Sequence, residues 1–125
     1  MTGLTIIVAT ADGERFRAAM TLATAQAALG GRVRVYCHER AVALLRVAPD
    51  DDDDDDDGAA ALAAAGLPDR PALIAMAIDG GVALIACQTG LALAGLEMGD
   101  LAVGVEAGGM VGLLASLGDN RLTTF

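Results

Sequence analysis

Apolar, β-branched runs alternate with helical patterns from one end of the chain to the other. The runs predict strands at residues 4–9, 32–37, 82–87, 101–105 and 121–125. The patterns between them predict helices at residues 14–29, 38–46, 58–65, 71–78, 91–96 and 109–117. Strands that alternate with helices over short connections are typical of a parallel sheet. We therefore expect an α/β fold: a single-domain three-layer α/β/α sandwich over residues 1–125, with a mainly parallel sheet of about five strands whose order stays open.

The run at residues 82–87 carries no charge, follows a glycine pair and precedes a Gln-Thr-Gly turn. A strand without alternation fits a parallel sheet that helices cover on both faces. Ligands and chemistry collect beyond the carboxyl ends of such strands. Cys87 ends this strand, where backbone N–H groups and the start of the next helix favour a thiolate. Cys87 is therefore the candidate nucleophile, and the alternative is a cysteine buried as a small hydrophobe.

Other residues are expected near the same edge of the sheet. Cys37 ends the second predicted strand, and it comes within disulfide range of Cys87 if the two strands are neighbours. Asp12 lies in the first strand-to-helix turn. We prefer the simpler interpretations, an inert strand-end thiol for Cys37 and a helix cap for Asp12. His38 is a secondary candidate, as a base or as the first residue of a helix.

The charge of the chain is concentrated in one segment. Of the formal net charge of -9, eight negative charges come from the aspartates at residues 50–57, and nine acidic residues face eight arginines elsewhere. The rest of the chain is thus nearly neutral, which argues against nucleic-acid binding. We expect the acidic insert at 50–58 to be a flexible, solvated loop, since the ligand spacing of a calcium site is absent.

Composition excludes several other classes of protein. There is no lysine, which excludes Schiff-base chemistry and a Walker A site. Two cysteines and one histidine are too few for a self-contained zinc site, and we expect neither a metal nor a cofactor. No apolar run approaches the ~20 residues that span a bilayer, and no secretory signal is evident, so we expect a cytoplasmic protein with free thiols and no membrane contact.

Three segments resemble the DsrE/DsrF/TusD-like sulfur-relay family. They are the Leu-Ile-Ala-Cys strand end at 84–87 with a short helix reaching Gly95, the Val-Glu-Ala-Gly-Gly-Met run at 105–110, and the closing Asn-Arg-Leu-Thr-Thr-Phe strand at 120–125. The resemblance implies a persulfide carrier in which Cys87 takes sulfur from a donor protein and passes it to an acceptor. It also implies a homo-oligomer, a trimer or a hexamer, and the high mean hydropathy of +0.52 favours faces buried between subunits.

Two functions follow from these observations. In the first, Cys87 is the sulfur-accepting nucleophile, Gln88 and Thr89 contribute backbone N–H groups, and Asp12 or Cys37 lines the same pocket edge. In the second, the chain is a non-catalytic oligomeric module that binds a small ligand or a protein at this edge. The apolar residues 92–94 motivate the second function, because several sulfur-relay members have arginines in this helix. Whether the chain is an enzyme, as a sulfurtransferase, is left open.

Overall fold

The computed structural model describes residues 2–47 and 58–125, and the acidic run at residues 50–57 lies outside them. The strands are β1 (Leu4–Val8), β2 (Val33–Cys37), β3 (Ala83–Cys87), β4 (Glu106–Gly108) and β5 (Arg121–Thr124). The α-helices are α1 (Gly13–Ala28), α2 (Ala59–Ala64), α3 (Arg70–Asp79), α4 (Gln88–Ala94) and α5 (Met110–Ala115). Two 3-10 helices, Glu39–Leu45 and Met98–Asp100, complete the described elements.

The five strands form one parallel sheet in the order β4-β3-β2-β1-β5, with helices on both sides. The predicted α/β sandwich is therefore confirmed. On one face, Ile6, Val35 and Leu84 are aligned across the central strands and are at most 1% exposed. Helix α1 packs against this face with its buried stripe, formed by Phe16, Ala19, Met20 and Ala23. Burial of these side chains is the main source of the fold's stability.

The opposite face of the sheet is fastened to α5 by a polar cluster. Thr5 is fully buried, and its Oγ1 accepts hydrogen bonds from Arg34 (Nη2 at 2.9 Å) and from Asn120 Nδ2 (3.2 Å). The guanidinium of Arg34 also donates to Ser116 Oγ at 2.8 Å, just beyond α5. One buried hydroxyl thus connects β1, β2 and the segment that leads into β5.

Two sequence predictions are wrong in detail. Residues 101–105 do not form the fourth strand; Leu101 makes an isolated antiparallel bridge to Arg46, and β4 follows at Glu106–Gly108. The reason is Gly104, whose φ of 104° turns the chain before it reaches β3. The predicted turn at 88–90 is also absent, because α4 begins directly after Cys87. Gly95, at φ 66°, ends that helix near the predicted residue.

No helix in the described part of the chain is both long and apolar enough to cross a membrane.

The polar cluster predicts the effect of one substitution. We expect Thr5→Val to lower the free energy of unfolding by about 1–3 kcal/mol, because the part-buried donors of Arg34 and Asn120 lose their acceptor while the volume is unchanged. Urea denaturation measures this loss. The matched control is Thr21→Val, where the hydroxyl bonds only to the Arg17 carbonyl on an exposed helix surface; we expect less than ~0.5 kcal/mol there. Equal effects of the two substitutions would contradict the role of Thr5.

Candidate functional site

The candidate site is formed where β3 runs directly into α4. Cys87 is both the last residue of β3 and the N-cap residue of α4, and only 5% of its surface is exposed. Its strand neighbour β4 aligns Gly108 with Cys87. Cys87 therefore lies at the carboxyl edge of the sheet, where parallel α/β folds collect ligands.

Four donors surround the sulfur of Cys87. The hydroxyl of Tyr36 and the backbone N–H groups of Glu39, Thr89 and Gly90 lie near Sγ, and each of them lowers the pKa of the thiol. We call these four groups the sulfur cradle. Tyr36 reaches the sulfur because it is aligned with Ile85, two residues before Cys87, and residues two apart on a strand share a face of the sheet.

The cradle determines the ionisation of the cysteine. Burial by itself raises the pKa of the Cys87 thiol, but the hydrogen bonds from Tyr36 and from the three backbone N–H groups lower the pKa by more. The net pKa is below the ordinary value for a thiol. The thiolate, which is the nucleophilic form, is therefore favoured near neutral pH relative to a free cysteine. For Tyr36 the direction is opposite, since burial and the nearby sulfur raise the pKa of its hydroxyl.

One cradle donor depends on an unusual backbone conformation. Glu39 has a φ of 47°, the only positive φ at a non-glycine residue in the described ranges 2–47 and 58–125. Such a conformation costs free energy and persists only where its surroundings enforce it. Gly90 permits the close approach here: a Cβ built at that position would overlap the carbonyl oxygen of Glu39 and Cγ2 of Val42. The absence of a side chain on Gly90 therefore lets the 3-10 helix approach α4.

A cavity of about 160 Å³ opens beside the cysteine. Its walls come from the ends of β2, β3 and β4 and from the helices that follow them. The residues lining it are Tyr36, His38, Glu39, Cys87, Gln88, Thr89, Gly108, Gly109 and Met110. This volume is smaller than a typical pocket for a drug-sized ligand, so the cavity suits a small group or the tip of a partner loop.

The structure brings some of the predicted site residues together and not others. Gln88 and Thr89 line the cavity with Cys87; the backbone N–H of Thr89 is among the groups that lower the pKa of the thiol, and that of Gln88 is not. Asp12 does not line it; its carboxylate accepts from the backbone N–H of Arg15 at 3.0 Å, which is the capping role.

Cys37 is also outside the cavity, although β2 and β3 are neighbours as the disulfide hypothesis required. Cys37 is aligned with Ala86, so its side chain projects to the face opposite that of Cys87. It is fully buried, and burial raises the pKa of its thiol to about 12. Both cysteines are free. Its burial and raised pKa favour the simpler interpretation, an inert strand-end thiol.

Sequence reasoning missed two members of the site. The sequence pattern predicts a strand for Tyr36 and a helix for Glu39, with no role in the site. The secondary candidate His38 lies between them in sequence and also lines the cavity. The alternating pattern of residues 32–37 could have indicated Tyr36 as a site residue, since it places Tyr36 and Cys37 on opposite faces of the sheet. Nδ1 of His38 is buried without a hydrogen-bond partner, and Nε2 lies 3.6 Å from the Glu39 carboxylate.

The side chains that could ligate a metal ion are dispersed in the described part of the chain. Within residues 2–47 and 58–125, no three histidine, cysteine, aspartate or glutamate side chains come close enough together to hold an ion.

Comparison with known proteins supplies an independent line of evidence. The model of the DsrE/DsrF-like family matches residues 3–124. In structure, the chain is similar to the ychN protein from E. coli, with a TM-score of 0.74 and 20% sequence identity over 100% of both chains. That likeness shows a shared fold. Among curated proteins, no sequence matches this chain.

The cradle predicts the pH dependence of Cys87 alkylation. We expect Tyr36→Phe to shift the midpoint of the alkylation rate to higher pH, because the thiolate loses a donor while the buried ring is kept. At pH 7 the rate should fall severalfold. Iodoacetamide labelling followed by mass spectrometry measures it, in a Cys37→Ala background that leaves one thiol. An unchanged midpoint would show that the hydroxyl does not stabilise the thiolate.

Gly90 provides a second test. We expect Gly90→Ala to lower the free energy of unfolding by about 1–3 kcal/mol, because the added methyl group displaces the 3-10 helix. It should also raise the midpoint pH of Cys87 alkylation, since the Glu39 N–H moves off the sulfur. Gly112→Ala is the matched control: nothing lies near the new Cβ, and a helical alanine should add about 0.5–1 kcal/mol. The two substitutions should therefore change stability in opposite directions.

Proposed function

Because this chain belongs to the DsrE/DsrF-like family, we propose that it is a persulfide carrier of a sulfur relay, with Cys87 as the residue that accepts and passes on sulfur. The observation that supports this role is the sulfur cradle: four donors converge on Sγ of one cysteine at the edge of a cavity. A cysteine that only fills space in the core is accommodated by an apolar pocket, without polar groups around its sulfur.

The proposed reaction is thiol–persulfide exchange. The Cys87 thiolate attacks the outer sulfur of a donor persulfide, R–S–SH; the S–S bond of the donor breaks, and R–S⁻ leaves with its electron pair. Cys87 then carries the outer sulfur and its proton as Sγ–SH. In the second step an acceptor thiolate attacks that outer sulfur, and Sγ leaves as a thiolate. Neither step needs a metal, an organic cofactor or an external oxidant.

The partners we propose are a sulfur donor protein, an acceptor protein and further copies of this chain. Described apolar side chains at the surface support a homo-oligomer, which in this family is expected to be a trimer or a hexamer. Examples are Val103, 95% exposed, and Val111, 84% exposed. The two free thiols favour a reducing compartment such as the cytoplasm.

The alternative function, a non-catalytic binding module of the same fold, predicts a different cysteine. A binding module needs no activated thiol, so its Cys87 would ionise like an ordinary buried cysteine, with a raised pKa. The lowered pKa of Cys87 favours the carrier.

Incubation with a cysteine desulfurase and free cysteine tests the carrier directly. We expect an adduct of about 32 Da, one sulfur atom, on Cys87, because the thiolate takes the outer sulfur of the donor persulfide. Intact mass and peptide mapping locate it. Cys37→Ala should keep the adduct, and Cys87→Ser should lose it. Absence of the adduct from Cys87 in the wild-type chain, with the desulfurase active, would refute the proposal.

A further inference from the structure

Cys87 alternates between an empty form, the free thiolate, and a loaded form, the persulfide. The cradle and the cavity walls stabilise these two forms to different extents. In the empty form the negative charge is on Sγ, at the point where Tyr36, Glu39, Thr89 and Gly90 direct their donors. In the loaded form Sγ is neutral, with single bonds to Cβ and to the outer sulfur. The charge of an ionised persulfide is on that outer sulfur, ~2 Å from Sγ. Hydrogen bonds to a charged sulfur are stronger than those to a neutral one. The cradle therefore stabilises the empty form more than the loaded form.

The surroundings of the outer sulfur act in the same direction. No arginine or lysine is among the described residues that line the cavity, so no permanent cation is available to a persulfide anion there. The one acidic side chain among the residues that line the cavity is that of Glu39, which is half-exposed and close to His38. An anion on the outer sulfur would thus lie in a cavity with a like charge in its wall, and like charges raise the free energy of that form.

Resting on the proposed function, we infer that Cys87 is built to release sulfur rather than to store it, and that Tyr36 is a catalytic residue of the release step. In that step the acceptor thiolate bonds to the outer sulfur, the Sγ–S bond breaks, and its electron pair stays on Sγ. Tyr36 lies beside Cys87 in the wall of the cavity and on the same face of the sheet, so its hydroxyl is already placed to stabilise the charge that develops on Sγ. The reaction that consumes the sulfur is therefore attack by a thiolate on a short-lived persulfide.

Release from the loaded chain tests this inference. The Cys37→Ala chain and its Tyr36→Phe derivative are loaded with sodium disulfide, desalted and mixed with excess dithiothreitol. Mass spectrometry then follows the loss of one sulfur atom from Cys87. We expect Tyr36→Phe to release sulfur roughly three- to tenfold more slowly, as the loss of one charge-assisted hydrogen bond to the leaving group predicts. Gly90→Ala, which displaces the Glu39 N–H, should also slow release, and Gly112→Ala should leave the rate unchanged.

The direction of the effect separates catalysis from structural damage. If Tyr36 only supported the fold, its substitution would loosen the site, expose the persulfide and make release faster. Release from Tyr36→Phe at the wild-type rate, or faster, would overturn the inference and leave the carrier function intact. Failure of the wild-type chain to load from either sodium disulfide or the desulfurase would overturn the carrier function and this inference together.

Discussion

The close approach of the 3-10 helix to α4 is the constraint on which the site depends. Gly90 is the residue that permits it, since any side chain there would overlap the Glu39 backbone. Glu39, at a φ of 47°, lies at this contact, and its backbone N–H is one of the groups near the sulfur of Cys87. The strain in that one residue is supported by dense packing between the two helices, and the result is a fixed donor on the sulfur. Local strain at Glu39 thus contributes to the electrostatics of the site.

Much of the fold was predictable because it follows from hydrophobic patterning. The continuous apolar run that ends at Cys87 indicated a buried parallel strand, and the position of the cysteine followed from the rule that such strands end at the ligand edge. The strand predicted at residues 101–105 is wrong, because the apolar pattern carries no information on the backbone conformation of a glycine. A glycine at position 104 adopts a left-handed turn, and the three-residue strand that follows pairs through its backbone, with Glu106 and Ala107 exposed.

The composition of the site was less predictable, because it depends on register and on contacts distant in sequence. Tyr36 meets Cys87 only because β2 and β3 pair with Tyr36 opposite Ile85. Nothing local to residue 36 specifies that partner. Glu39 contributes through its backbone N–H, for which its side-chain identity gives no signal. The expectation of backbone donors after Cys87 needs no tertiary information, since the start of a helix presents unpaired N–H groups whatever the sequence, and the N–H of Thr89 lies near the sulfur.

The opposite orientations of the two cysteines have a chemical consequence. A persulfide with a second thiol in reach is attacked at its inner sulfur, which closes a disulfide and discards the cargo as hydrogen sulfide. Cys37 pairs with Ala86, the residue before Cys87. The pleat of the sheet therefore directs the Cys37 side chain to the opposite face, where it is fully buried in the apolar core. A sulfur atom held on Cys87 would therefore have no internal route of escape, and only a thiol arriving from outside the molecule could take it.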